Sequence, residues 1–215
     1  MSREKKTSSY TKPTRRGRPA ISDETRNEMR KKIASSTRRL FEEHGYRQIS
    51  MRRISQEVGC SAMTLYKYYD AKIDILHTLW SNVFKAVFDK LDALPLNEKS
   101  SGEQLISLTA AYVDYWLDNS EHYRLVFMTE GVKQPDVSVF LEDPHVMLQQ
   151  NLFANAITKA SATALTEAEL SQKLGTLICF ANGIAHNLIT ISGHDWPAKD
   201  YLIESAIKGT IGDVR

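Results

Sequence analysis

The sequence predicts an all-α protein of about nine helices, a short three-helix unit at the N-terminus followed by a larger helical C-terminal part. Three observations predict it. Apolar residues recur at helical spacing from about Ser22 onward. Alternating apolar/polar runs flanked by turn residues, the mark of strands, are absent. The breaks fall at Gly45, Gly59, Leu94–Gly102, Gly131–Pro135, Ala162–Thr166 and Gly193–Pro197, each built from helix-stopping or turn-forming residues.

The first helix starts behind Ser22, with Asp23 and Glu24 in the turn where a helix dipole favours acid. Met29, Ile33, Thr37, Leu40 and Phe41 hold one face, and Gly45 is expected to end it as a left-handed cap. Ser50 caps a short second helix carrying Met51, Ile54 and Val58, stopped by Gly59. Ser61 caps a third, Ala62 to about Tyr69. A long fourth begins at Asp70 or Ala71, with Leu76, Trp80, Val83, Phe84, Val87, Phe88 and Leu91 on one stripe. Five more are expected, at roughly 102–118, 120–130, 136–161, 166–192 and 197–211. Leu105, Leu108, Tyr112, Tyr115 and Trp116 form one apolar stripe, and Leu174 through Ile191 another, in which Gly175, Ala181, Gly183 and Ala185 allow close approach.

Composition narrows the function. The 215 residues are 42% hydrophobic and 25% charged, enough for a buried core and unlike a disordered polyelectrolyte. Cys60 and Cys179 lie far apart with no CxxC, which points to neither a zinc site nor a redox pair. There is no apolar run of about 18 residues and no apolar stretch in the first twenty, so the expectation is a cytoplasmic protein. The net charge of +2 conceals an asymmetry: residues 1–72 carry 18 Lys/Arg against 8 Asp/Glu, and the remainder carries 10 against 18. A basic third suits a polyanion such as nucleic acid, and the acidic remainder is repelled by it. Catalytic signatures (a HExxH helix, a Gly-Lys-Ser phosphate loop, a GxSxG elbow) are missing, and no metal or cofactor is expected.

Two short helices separated only by Val58-Gly59-Cys60-Ser61 make a helix-turn-helix. In that motif the second helix enters the major groove of duplex DNA and the first crosses the backbone. Ser61, Ala62, Met63, Thr64, Lys67 and Tyr68 face outward, while Leu65 and Tyr69 face in. Ser61 and Thr64 offer hydrogen bonds, and Ala62 and Met63 offer apolar contact to thymine methyls. Lys67, Lys72 and the hydroxyls of Tyr66 and Tyr68 are expected on phosphates, with Ser50 and Arg52 of the preceding helix counted in the same surface.

Leu40-Phe41-Glu42-Glu43-His44-Gly45-Tyr46, Ser50-Met51-Arg52-Arg53-Ile54, Val58-Gly59-Cys60-Ser61 and Thr64-Leu65-Tyr66-Lys67-Tyr68-Tyr69-Asp70-Ala71-Lys72 closely resemble the N-terminal domain of TetR-family transcriptional regulators, contiguously over about residues 26–80. The resemblance implies phosphate contacts at Tyr66 and Lys72 and a core aromatic at Tyr69, where the usual Phe is replaced and a hydroxyl needs a partner. Ala62-Met63 departs from the common Lys-Gly or Pro-Gly, so base preference does not carry over.

The resemblance also implies domains at 22–72 (DNA-binding) and 73–215 (effector-binding and dimerisation), behind a basic arm, 1–21, expected to be disordered. In that arm Arg16 and Arg18 belong to Arg-Gly-Arg-Pro, similar to the core of an AT-hook that reads a narrow minor groove. An unidentified small-molecule effector is expected among helices four to eight, lined by Trp80, Phe84, Tyr112, Tyr115, Trp116, Phe127 and Phe153, with Phe88 and Met147 nearby and His186 a further contact. The last two helices are expected to form a homodimer interface, which would present two reading helices to a palindromic operator in double-stranded DNA. The function expected is a repressor released by its effector; the alternative is an architectural DNA-binding protein of the same fold with a filled core.

Overall fold

In a computed structural model, residues 22–142 and 144–212 are described. The Arg16 and Arg18 arm lies outside them, as does the side chain of Met147. The described chain forms ten α-helices and one 3-10 turn, with no strand among the described residues.

The head consists of α1 (Asp23–His44), α2 (Met51–Val58) and α3 (Ala62–Tyr66), with a 3-10 turn, Tyr46–Gln48, after α1. Local chemistry sets each boundary. Ser22, Ser50 and Ser61 cap α1, α2 and α3 by accepting from the amides of Thr25, Arg53 and Thr64. Gly45 does end α1, but at φ 76°, ψ 150° rather than in the left-handed helical region, which extends the chain into the 3-10 turn. Gly59 sits in the left-handed region (φ 75°, ψ 35°), its amide donating to Gln56 and that of Cys60 to Ser55, so α2 stops and reverses within one residue. Ile33, Leu40, Phe41, Ile49, Ile54, Val58, Leu65 and Tyr69 fill the centre of the head.

α3 is shorter than expected. It ends at Tyr66, and a turn through Lys67 and Tyr68 brings Tyr69 into the core. α4 (Lys72–Asp92) then leaves the head, its first turn tied by the Asp74 carboxylate accepting from the Ala71 amide at 2.7 Å.

The body comprises α5 (Ser101–Asp118), α6 (Ser120–Phe127), α7 (Gln134–Leu141), α8 (Pro144–Ala160), α9 (Glu167–Thr190) and α10 (Lys199–Ile211). Ser100 with Glu103, and Thr166 with Glu169, make reciprocal capping boxes at α5 and α9. One helix expected over 136–161 is two. Pro144 opens α8, a position that needs no amide donor. α5 runs through the centre, packed against α4, α8 and α9, and α10 covers α9 and α5. The predicted stripe of α5 is buried throughout.

Candidate nucleic-acid interface and body cavity

α3 stands on the head with Leu65 buried beneath it. Met63 is 76% exposed and Tyr66 51%. Exposing a methionine and a tyrosine side by side on a capped helix is unfavourable in water unless something covers them. Ser61 and Lys67 are exposed, and Ala62, Thr64 and Tyr68 are half-buried. The Ser61 hydroxyl caps the helix and sits 2.8 Å from the Thr64 hydroxyl, so the two present one linked polar edge. Ser50 is spent in the same way on the first turn of α2, while Arg52 is exposed with no ion pair among the described residues.

Lys72 has a second occupation. Its Nζ donates to the carbonyls of Tyr46 at 2.6 Å and Ile49 at 2.8 Å and lies 3.8 Å from the centroid of the Tyr46 ring. Partial burial lowers its pKa from the ordinary lysine value. The ammonium has three donors, two of which hold the 3-10 turn against the start of α4 and one of which is left for a phosphate. The Tyr69 hydroxyl, the departure noted in the sequence, is buried with no partner among the described residues, as is that of Thr37 in α1.

Head and body meet through α1 and α6. His122 Nε2 lies 3.2 Å from Arg38 Nη1, and His122 Nδ1 lies 2.9 Å from the Tyr115 hydroxyl. A guanidinium only donates, so Nε2 accepts and the imidazole is neutral. Burial lowers the His122 pKa; Glu121 and Glu42 oppose the shift and Arg38 adds to it. These residues carried no signal in the sequence beyond their polarity, because the contact joins positions 84 apart.

The body holds a cavity of about 330 Å³ between α4, α5, α6, α8 and α9. Of the aromatic residues expected to line it, Phe84, Phe88, Tyr112, Phe127 and Phe153 do. Trp80, Tyr115, Trp116 and His186 do not. The Trp80 indole donates to the Leu125 carbonyl at 2.8 Å and meets Phe140 edge-on. Tyr115 is turned to His122. Trp116 is fully buried behind the wall, edge-on to Phe84, Tyr112 and Phe127. His186 is exposed on α9. Helical spacing puts these rings on the inward faces but does not say which will meet a void and which will fill one.

The rest of the wall comes from Val146 and from Ser171, Leu174, Gly175, Ile178 and Asn182 of α9. The Tyr112 hydroxyl donates to Asn182 Oδ1 at 2.8 Å, and burial raises the Tyr112 pKa well above its ordinary value, so it stays neutral. Sequence reasoning missed this polar pair; the only hint was an asparagine one turn from Ile178 on an otherwise apolar face.

Residues 33–79, from the middle of α1 into α4, match the family model for bacterial regulatory proteins of the tetR family. The helix-turn-helix head thus matches the tetR family over that stretch. It is 27% identical over 195 residues to the HTH-type transcriptional activator FasR of Mycolicibacterium smegmatis, covering 86% of this chain and 81% of FasR. It is 24% identical over 148 residues to the transcriptional repressor KstR of the same organism, covering 66% of this chain and 70% of KstR. A regulatory protein of the tetR family from Rhodococcus RHA1 shares the fold, with TM-score 0.60 at 14% identity over 85% of this chain and 97% of that one. These likenesses support a role in DNA-binding regulation of transcription, and α3 lies within the stretch that the family model spans. Among its described residues no helix is long and apolar enough to cross a membrane, and no cluster of His, Cys, Asp and Glu is placed to hold a metal ion.

Proposed function

We propose that the protein is a homodimeric repressor that binds a palindromic operator through two copies of α3 and leaves it when a small molecule occupies the body cavity. The observation that carries the reading is the pairing, in one chain, of an exposed, capped α3 with a lined cavity that α4 joins to it. α4 begins at Lys72 inside the head and places Phe84 and Phe88 in the cavity wall. α6 gives a second route, since Phe127 lines the cavity while His122 holds Arg38 of α1. An effector that binds better when these helices are displaced draws the heads from the spacing of about 34–36 Å that one turn of DNA demands. The cavity also weighs against an architectural protein with a filled core.

The dimer is supported by the outer face of α9 and α10. Phe180 and Tyr201 stand exposed there beside a shallow hollow lined by Gly183, Leu188 and Leu202. One helix-turn-helix reads few bases, and two-fold pairing doubles the contacts. The name of KstR supports repression; that of FasR favours activation by the same DNA-binding act.

Selection of bound duplexes from a random pool, followed by a promoter reporter carrying the selected site, tests the reading. The expected result is an inverted repeat and reduced reporter output. A non-repeated site or a monomer in solution overturns the dimer part, and increased output overturns the repressor part.

A further inference from the structure

We infer that the cavity takes an uncharged, largely apolar molecule carrying a carbonyl-type or hydroxyl oxygen, which the side-chain amide of Asn182 recognises. This rests on the reading of the cavity as the effector site and specifies what that site selects. Its described lining contains no Lys, Arg, His, Asp or Glu. A carboxylate or ammonium pressed against these walls would lose hydration on that side, with no opposite charge among the described lining residues to replace it. The walls are instead phenyl rings and branched alkyl groups, from Phe84, Phe88, Phe153 and Ile178 among others, which reward apolar burial.

Two polar features interrupt this surface, the exposed Ser171 at the start of α9 and, deeper, the Tyr112–Asn182 pair. Asn182 Oδ1 already accepts from the Tyr112 hydroxyl, and the Asn182 backbone carbonyl accepts from the Tyr123 hydroxyl at 3.4 Å. The Nδ2 amide makes no hydrogen bond among the described residues. Tyr112 fixes the orientation of the carboxamide, so the group left over is a donor. A pure hydrocarbon would cover that donor and leave it unsatisfied, whereas a ligand with an acceptor oxygen satisfies it. The site therefore discriminates twice: against charge by its walls, and against plain hydrocarbon by Asn182.

The test is a ladder of straight-chain methyl esters, from hexanoate to dodecanoate, alongside the matching free carboxylates. Binding is followed by the tryptophan emission of the full-length protein at pH 7.5, because Trp116 packs against three wall residues. The best ester is expected to bind at least tenfold more tightly than its carboxylate, and Asn182→Leu to weaken that ester about tenfold. Leu174→Trp, which fills the cavity from its rim, is expected to abolish binding while leaving binding to the selected operator intact. A carboxylate that binds as tightly as its ester overturns the neutral-ligand inference and leaves the effector-released regulator standing. Ester binding undiminished by Leu174→Trp places the site elsewhere and overturns the inference as well. Absence of saturable binding by every member of the ladder overturns the cavity as an effector site and the release mechanism with it. Should either variant fail to fold, the comparison of ester with acid in the unaltered protein still decides the matter.

Discussion

Replacing Lys72 by methionine separates a structural lysine from a phosphate-binding one. The change keeps the alkyl stem and removes the ammonium that donates to the Tyr46 and Ile49 carbonyls at 2.6 and 2.8 Å. A hydrogen bond from a charged donor contributes about 1.5–3 kcal/mol, and the contact with the Tyr46 ring adds about 0.5–1 kcal/mol. The site is only partly buried, so water reaches the abandoned carbonyls and replaces part of the loss. A net destabilisation of about 2–4 kcal/mol is expected. Urea unfolding followed by far-UV circular dichroism measures it.

The control is Lys67→Met, an exposed lysine whose ammonium makes no hydrogen bond among the described residues. It should leave stability within about 0.5 kcal/mol while lowering the slope of log affinity against log salt by about 0.9, as expected for one lost phosphate contact. Should Lys72→Met unfold at the urea midpoint of the unaltered protein and lose only DNA affinity, the structural role assigned to its ammonium is refuted.

Two buried hydroxyls without partners, on Tyr69 and Thr37, are desolvated with no compensating bond; Tyr69→Phe and Thr37→Val should each be neutral or stabilise by up to about 1 kcal/mol, and a loss beyond that in thermal unfolding would show that a partner exists. The lowered pKa of His122 means the folded state disfavours its protonation, so its contribution to stability is complete above the ordinary value of 6.5 and declines as pH falls below it. Urea midpoints should therefore drop as pH falls below about 6.5 more steeply in the unaltered protein than in His122→Gln, and parallel profiles would remove His122 from the account.

The head was legible because its signals are local. Ser50, Gly59 and Ser61 each act within four residues, so caps and turn could be placed before any tertiary contact was known. The end of α3 was not legible, since Lys67 and Tyr68 carry no stop signal; the helix ends there because Tyr69 is drawn into the core and α4 must start at Lys72. The break before α8 did have a signal, Pro144, that the apolar periodicity on either side obscured. In the body, Tyr112 and Trp116 share one stripe of α5, yet only the first reaches the cavity. That difference depends on which neighbour fills the space, as the Trp80 bond to Leu125 also illustrates, and no spacing rule contains it. Asn182 became meaningful only once Tyr112, seventy residues away, was seen to orient it.

The most direct trial of α3 as the base-reading element is to repeat the duplex selection with Met63→Lys, an exposed change that leaves the buried side of α3 untouched. A lysine there can donate to guanine where a methionine offers only apolar contact. The account predicts a new base preference at one position, appearing symmetrically in both halves of the selected repeat. An unchanged preferred sequence, bound with unchanged affinity, would contradict it.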